Sequence, residues 1–269
     1  MMISASLVFG SLRLSPSQIE RYDAWSFVAQ LRPILRGHVV VAPQRSVRRL
    51  GELTDQELDA LFAMVRNVQA ASIARDASVT AFNVAIKDGP EAGQPVPHAH
   101  VHVVPRRPND VRRNDDVYGM LDAWSPDESV VVPPTAPLEV PDDDSREPRT
   151  PETMADEARL YGAASGRKTV SFGRFEVDGR QVFYESPKSL AIVNLKPIVP
   201  GHVLVIPKRV APTLADLDDL EYVDLWRSAR DVAKVVLDYY GKDDANLAVQ
   251  DGVDAGQSVP HAHVHILPR

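Results

Sequence analysis

The sequence predicts an α+β fold in which one unit of strands plus a single long helix is written twice. Three observations carry that prediction. First, Pro97-His98-Ala99-His100-Val101-His102-Val103-Val104-Pro105-Arg106 returns as Pro260-His261-Ala262-His263-Val264-His265-Ile266-Leu267-Pro268-Arg269, 163 positions later. Second, nearly the same shift lays Phe9-Gly10 on Phe172-Gly173 and Arg32–Val41 on Lys196–Val205. It also lays Asp88-Gly89 and Ala92-Gly93-Gln94 on Asp251-Gly252 and Ala255-Gly256-Gln257. Third, each half holds one capped, long apolar stripe of helical period. Two copies make a duplicated domain, since a solenoid needs at least three repeats.

Strands open each copy, around 5–14 and 22–30 in the first and 169–177 and 180–186 in the second. Asp178-Gly179 is expected to turn a tight hairpin. Ser26–Gln30 corresponds to Leu190–Asn194, and a Pro/Gly turn leads to strands Val39–Ala42 and Val203–Ile206. The long helices start at capping boxes. Thr54 can take a first-turn amide while Glu57 reaches back, and Asp218 with Glu221 repeats the pair. Leu58, Leu61, Phe62, Val65 and Val68 line one helix face; Tyr222, Leu225, Trp226, Ala229 and Val232 line the other. Strands Ala81–Ile86 and Asn246–Val249 follow. The alternation in the histidine stretches predicts a strand with its imidazoles on one face, roughly 6.5–7 Å apart, and Ala99, Val101 and Val103 in a core.

The boundaries read as a first domain over 1–107, a linker over 108–168 and a second domain over 169–269. Val132-Pro133-Pro134 and Asp142-Asp143-Asp144 mark most of Pro108 to Arg149 as extended or mobile. The linker's end is expected to be helical, with Thr150 as N-cap, Pro151 in the first turn and Met154 to Tyr161 within.

Composition narrows the function classes. With 44% hydrophobic and 25% charged residues the chain is globular, and no apolar run reaches membrane-spanning length. The absence of cysteine excludes disulfides, thiolate metal sites and a cysteine nucleophile. A net charge of −7 argues against bulk nucleic-acid binding. Met1-Met2-Ile3-Ser4 lacks a basic start, so no signal peptide is expected, and a cytoplasmic address follows, with the nucleus also open.

All eight histidines belong to the repeat: His38, His98, His100, His102, His202, His261, His263 and His265. Alternate histidines could decorate an exposed strand face, or chelate zinc through neutral imidazoles. A third reading is a nucleophilic imidazole that attacks phosphorus while its neighbours act as donors. The glycine-rich loops favour that reading. Gly93-Gln94 and Gly256-Gln257 stand just upstream, where a bare backbone and a neutral amide suit phosphate oxygens.

These motifs resemble the histidine triad superfamily of nucleotidyl hydrolases and transferases. Asp251-Gly252-x-x-Ala255-Gly256-Gln257-x-Val259-x-His261-x-His263-Val264-His265 is similar to its fragile-histidine-triad branch. So is Val193-Asn194-x-Lys196-Pro197-x-Val199-Pro200-Gly201-His202. Arg113-Asn114-Asp115-Asp116-Val117-Tyr118 and the 151–162 helix look like that branch's mobile loop and C-terminal helix. The resemblance implies two histidine-triad domains, each a five-stranded, mainly antiparallel sheet with one long helix, paired as an intramolecular pseudo-dimer with a continuous sheet. It implies hydrolysis of diadenosine triphosphate to AMP and ADP through an AMP–histidine intermediate. The nucleophiles would be His263 and His100, flanked by His261 and His265 or His98 and His102, with His202 or His38 behind. Asn194 would meet the ribose. Gln250 and Gln257 would hold the phosphates beside the Gly256, Ser258 and Val259 backbone, with Gln94 as the first copy's counterpart of Gln257. A divalent cation, Mg or Mn, would arrive with the substrate; no protein-ligated metal, nucleic acid or membrane partner is expected. A phosphorylase, an adenylyl-amine hydrolase and a slow nucleotide-binding signalling protein stay open as alternatives.

The copies differ. Gln30 stands where Asn194 is, Lys87 where Gln250 is and Arg36 where Pro200 is. Chemistry is therefore expected at the second triad. Which site the 108–168 segment covers stays open.

Overall fold

A glycine sets the hairpin that opens each copy. The computed structural model describes residues 7–130, 145–162 and 166–269. Met1-Met2-Ile3-Ser4, Val132-Pro133-Pro134 and Asp142-Asp143-Asp144 lie outside them. Contacts divide the chain into one unit of Met1–Ala136 with Gln250–Gly256, and another of Pro137–Val249 with Gln257–Arg269.

In the first unit, β1 (Val8–Phe9) and β2 (Leu12–Arg13) pair about Gly10, whose φ of 62° is unfavourable for residues with a Cβ. The expected strand over 5–14 is this short hairpin. The expected strand over 22–30 likewise becomes β3 (Ile19–Tyr22) and β4 (Ser26–Ala29). Asp23 turns that pair, its carboxylate accepting from the Trp25 and Ser26 amides. Then come β5 (Val39–Pro43), α1 (Asp55–Arg75), β6 (Ala81–Asp88), β7 (Val101–Arg106) and α2 (Asp116–Asp122). The antiparallel sheet runs β6-β7-β5-β4-β3.

The second unit adds α3 (Pro151–Tyr161), capped at Thr150 as expected. A hairpin of β8 (Thr169–Phe172) and β9 (Phe175–Asp178) follows, turned by Gly173. After it come β10 (Val182–Glu185), β11 (Ser189–Val193), β12 (Val203–Pro207), α4 (Asp219–Tyr240), β13 (Ala245–Asp251) and β14 (Val264–Pro268). Its antiparallel sheet runs β10-β11-β12-β14-β13. Asp178-Gly179 is no hairpin turn: Asp178 accepts from the Arg180 amide and starts a 3-10 turn between strands that do not pair with each other. The hairpin lies six residues earlier, where Gly173 supplies a φ of 58°.

Both capping boxes form. The Glu57 amide donates to Thr54 Oγ1 at 3.2 Å, and the Glu221 amide to Asp218 Oδ1 at 2.8 Å. Each glutamate returns to the cap backbone and also takes an arginine, Arg45 or Arg209. The predicted apolar faces of α1 and α4 are buried.

Two expectations change more substantially. The histidine stretch is a strand only from Val101 and from Val264. Upstream, the Ala99 and Ala262 amides donate to the loop carbonyls of Val47 and Ala211, so the ladder has not begun. The described part of the linker is not extended either. Val117, Leu121 and Trp124 recur at helical spacing and are all buried on the first unit. Among the described residues, no helix is long and apolar enough to cross a membrane.

Removing the α4 cap with Asp218→Ala should cost about 1 kcal/mol, read as a lower urea midpoint. Asp219→Ala, one residue into the helix, should shift it much less.

Candidate active site

Each triad is a chain of imidazoles whose tautomers are fixed by backbone groups. In the second unit the Gly173 amide donates to His261 Nδ1 at 2.9 Å, and His261 Nε2 lies 2.9 Å from the Pro207 carbonyl. His261 therefore carries its proton on Nε2. His263 Nδ1 sits 2.7 Å from the His261 carbonyl, which can only accept. The proton of His263 is thus on Nδ1, and its Nε2 presents a lone pair.

The same logic runs through His202. The Ile198 amide donates to its Nδ1 at 3.1 Å, leaving Nε2–H to donate to His265 Nδ1 at 2.9 Å. His265 then offers Nε2–H. Asn194 Nδ2 lies 3.2 Å from His202 Nε2, but both nitrogens bear hydrogen, so this is a contact and not a bond. Asn194 Oδ1 accepts from the Lys196 amide at 2.8 Å.

The first unit repeats the pattern atom for atom. Gly10 donates to His98 Nδ1 at 3.2 Å, and His98 donates to the Pro43 carbonyl at 2.8 Å. His100 Nδ1 meets the His98 carbonyl at 2.7 Å, and Ile34 fixes His38, which donates to His102 at 3.1 Å.

Burial keeps these rings neutral. It lowers His38 to about 3, with the His100 charge adding to the effect, and His100 to about 4. It lowers His202 to about 3, helped by the Arg146 charge, and His261 to about 4. His98 and His263 move the same way for the same reason, and His102 and His265 well below the ordinary value. The rings therefore do not decorate an exposed face. Among the described residues, no group of three or more His, Asp or Glu side chains is arranged to hold a metal ion.

Other predicted residues have local tasks. Gln94 accepts from the Gly89 amide and donates to the Arg48 carbonyl, and Gln257 donates to the Pro212 carbonyl at 2.7 Å. Ser258 is exposed and Val259 half-buried. Gln250 and Gly256 count with the first unit, where Gln250 hydrogen-bonds to the Tyr118 hydroxyl. A Cβ on Gly256 would come 2.8 Å from the Gln250 amide. The Lys87 ammonium lies 2.8 Å from both the Leu121 carbonyl and Asp122, and its charge adds to the lowering of His100 and His102. Gln30 is exposed, and Arg36 pairs with Asp76 at the surface.

Sequence reasoning missed five contributors. Phe172 stands edge-on to His263 at 5.3 Å, as Phe9 does to His100 at 5.1 Å. The repeated Phe-Gly pair was the available signal. Arg146 and Arg149 bind the Lys196 and Asn194 carbonyls, and no repeat marks them. Trp124 lies against His38, His100 and His102.

This duplicated fold and imidazole relay define a histidine-triad protein. The HIT domain family profile matches residues 18–109 and 176–269, more than half the chain, and the chain belongs to that family. It is 54% identical over 102 residues to a bis(5'-nucleosyl)-tetraphosphatase (asymmetrical) of Schizosaccharomyces pombe, covering 38% of this chain and 56% of that one. It is 46% identical over 101 residues to a bis(5'-adenosyl)-triphosphatase of Dictyostelium discoideum, covering 38% and 68%. The chain thus spans little more than half of the first relative's length. Over 91% of this chain and 74% of the other, a galt-like protein from Arabidopsis thaliana shares the fold, with a TM-score of 0.55 at 16% identity.

The lowered histidines set a pH dependence of stability. Folded His38, His100, His202 and His261 stay neutral well below the unfolded value of 6.5, so the unfolded chain binds the extra protons. Their contribution is complete above pH 6.5 and is lost as pH falls toward the folded values. Each should add up to about 1.4 kcal/mol per pH unit to that loss. Urea unfolding at steps from pH 7.5 to 4.5 should show the decline; a flat profile would contradict it.

Proposed function

We propose that this chain hydrolyses dinucleoside polyphosphates, splitting diadenosine triphosphate into AMP and ADP at the second triad. The observation that carries the reading is the His263 ring, held by the His261 carbonyl through Nδ1–H so that Nε2 keeps its lone pair. The names of the two relatives support the substrate class.

Nε2 of His263 attacks the α-phosphorus, the P–N bond forms, and the bridging P–O bond breaks to release ADP. The ring becomes a cation in the adduct, and the His261 carbonyl stabilises it through Nδ1–H. Nε2–H of His265 faces the phosphate oxygens as a donor. Water then attacks phosphorus and gives its protons to the product phosphate and the solvent, the P–N bond breaks, AMP leaves and the lone pair returns to His263. A neutral ring is required at the start, which burial provides across the neutral range. The divalent cation, Mg or Mn, enters as part of the substrate's polyphosphate. The two copies act as a pseudo-dimer within a monomeric chain.

His263→Ala should remove essentially all release of AMP and ADP, and the wild type quenched during turnover should carry an adenylyl group on His263. Substantial turnover in His263→Ala would sink the assignment. Sedimentation should give one chain of 29.6 kDa, and a mass of twice that would contradict the monomeric pseudo-dimer.

A further inference from the structure

The two triads share bonding and differ in what covers them. His38, His98, His100 and His102 have no accessible surface, whereas His263 keeps 4% and His265 is half-buried. The loop before each triad differs in parallel. Gly93, Gln94, Pro95 and Val96 are buried, whereas Gly256, Gln257 and Val259 are half-buried and Ser258 is exposed.

The cover of the first triad is Trp124. Its ring centroid lies 4.6 Å from His102, 5.8 Å from His100 and 6.1 Å from His38. It is itself 3% exposed, in one cluster with Phe9, Phe27, Leu31, Val40 and Val96. The indole N–H donates to the carbonyls of Leu31 and Arg32 at 3.0 and 3.2 Å. The buried Nε2 atoms of His100 and His102, whose counterparts on His263 and His265 face the substrate in the proposed chemistry, have no hydrogen-bond partner.

Two side chains hold the indole in place. Arg32 donates to Ser125, the next residue. Lys87 binds the Leu121 carbonyl and Asp122 at the end of α2, two residues before Trp124. Thus the exchange of glutamine for lysine at this point of the repeat ties down a cover. One cleft in this unit, of about 480 Å³, is lined by Gly10, Ser46, Arg48, Glu52 and Pro97.

We propose that Trp124 is a built-in occupant of the first triad, a planar bicycle that closes it to adenine nucleotides, so that the chain has one nucleotide site. The closure stands on geometry alone; the count of one rests on the proposed function. Treatment with diethylpyrocarbonate followed by peptide mass mapping tests the closure without any ligand. In the native wild type the peptide bearing His98, His100 and His102 should stay unlabelled while that bearing His265 reacts. In Trp124→Ala the first peptide should react as fast as the second, and Lys87→Gln should move it the same way if loss of the indole unfolds the unit. Calorimetric titration with AMP should rise from one site per chain in the wild type to two in the same variants. Labelling of the first peptide in the wild type, its continued protection without Trp124, or two AMP sites in the wild type would overturn the proposal. Absence of all AMP binding would count against the hydrolase reading, and the labelling would still decide the closure.

Discussion

The bond on which the site depends is short and local: His263 Nδ1–H to the carbonyl of His261, two residues back. It fixes which nitrogen holds the proton and so which holds the lone pair. Everything around it serves that choice. The Gly173 amide orients His261, the Ile198 amide sets His202, and His202 sets His265. Burial removes the competing cationic state. In the proposed reaction a ring poised this way needs no neighbouring base to take its proton, because the attacking atom never carries one.

Under the proposed closure of the first triad, this relay is not sufficient for a working site. The first unit's bonds match the second unit's, yet its reactive nitrogens sit under an indole. Burying polar nitrogens without partners costs free energy, and here the compensation is a packed aromatic cluster around Trp124. The first triad also has a structural place in the core. His98 bonds to the Gly10 amide and the Pro43 carbonyl, and His38 to the Ile34 amide, so these rings tie the hairpin and β5 together.

Much of this was legible in the sequence. The capping pairs Thr54/Glu57 and Asp218/Glu221 located both long helices because their chemistry is local. The repeat located both triads. What failed were features decided at a distance. Period-two alternation cannot distinguish a laddered strand from an extended approach, and Ala99 and Ala262 bond to loops instead. Asp178-Gly179 has turn chemistry but lacks flanking strands that pair. The Pro and Asp content after Pro108 concealed the stripe Val117, Leu121, Trp124, and the occupant of the first triad lay in that stripe. The hold of Lys87 on α2 was not legible, because its partners Leu121 and Asp122 are brought to it only by the fold.

The tautomers can be observed directly. Long-range ¹H–¹⁵N correlation spectra of the imidazoles at pH 7 test the central claim most plainly. The account predicts a neutral His263 protonated on Nδ1, with His261, His202 and His265 neutral and protonated on Nε2. An imidazolium at His263, or its proton on Nε2, would contradict it.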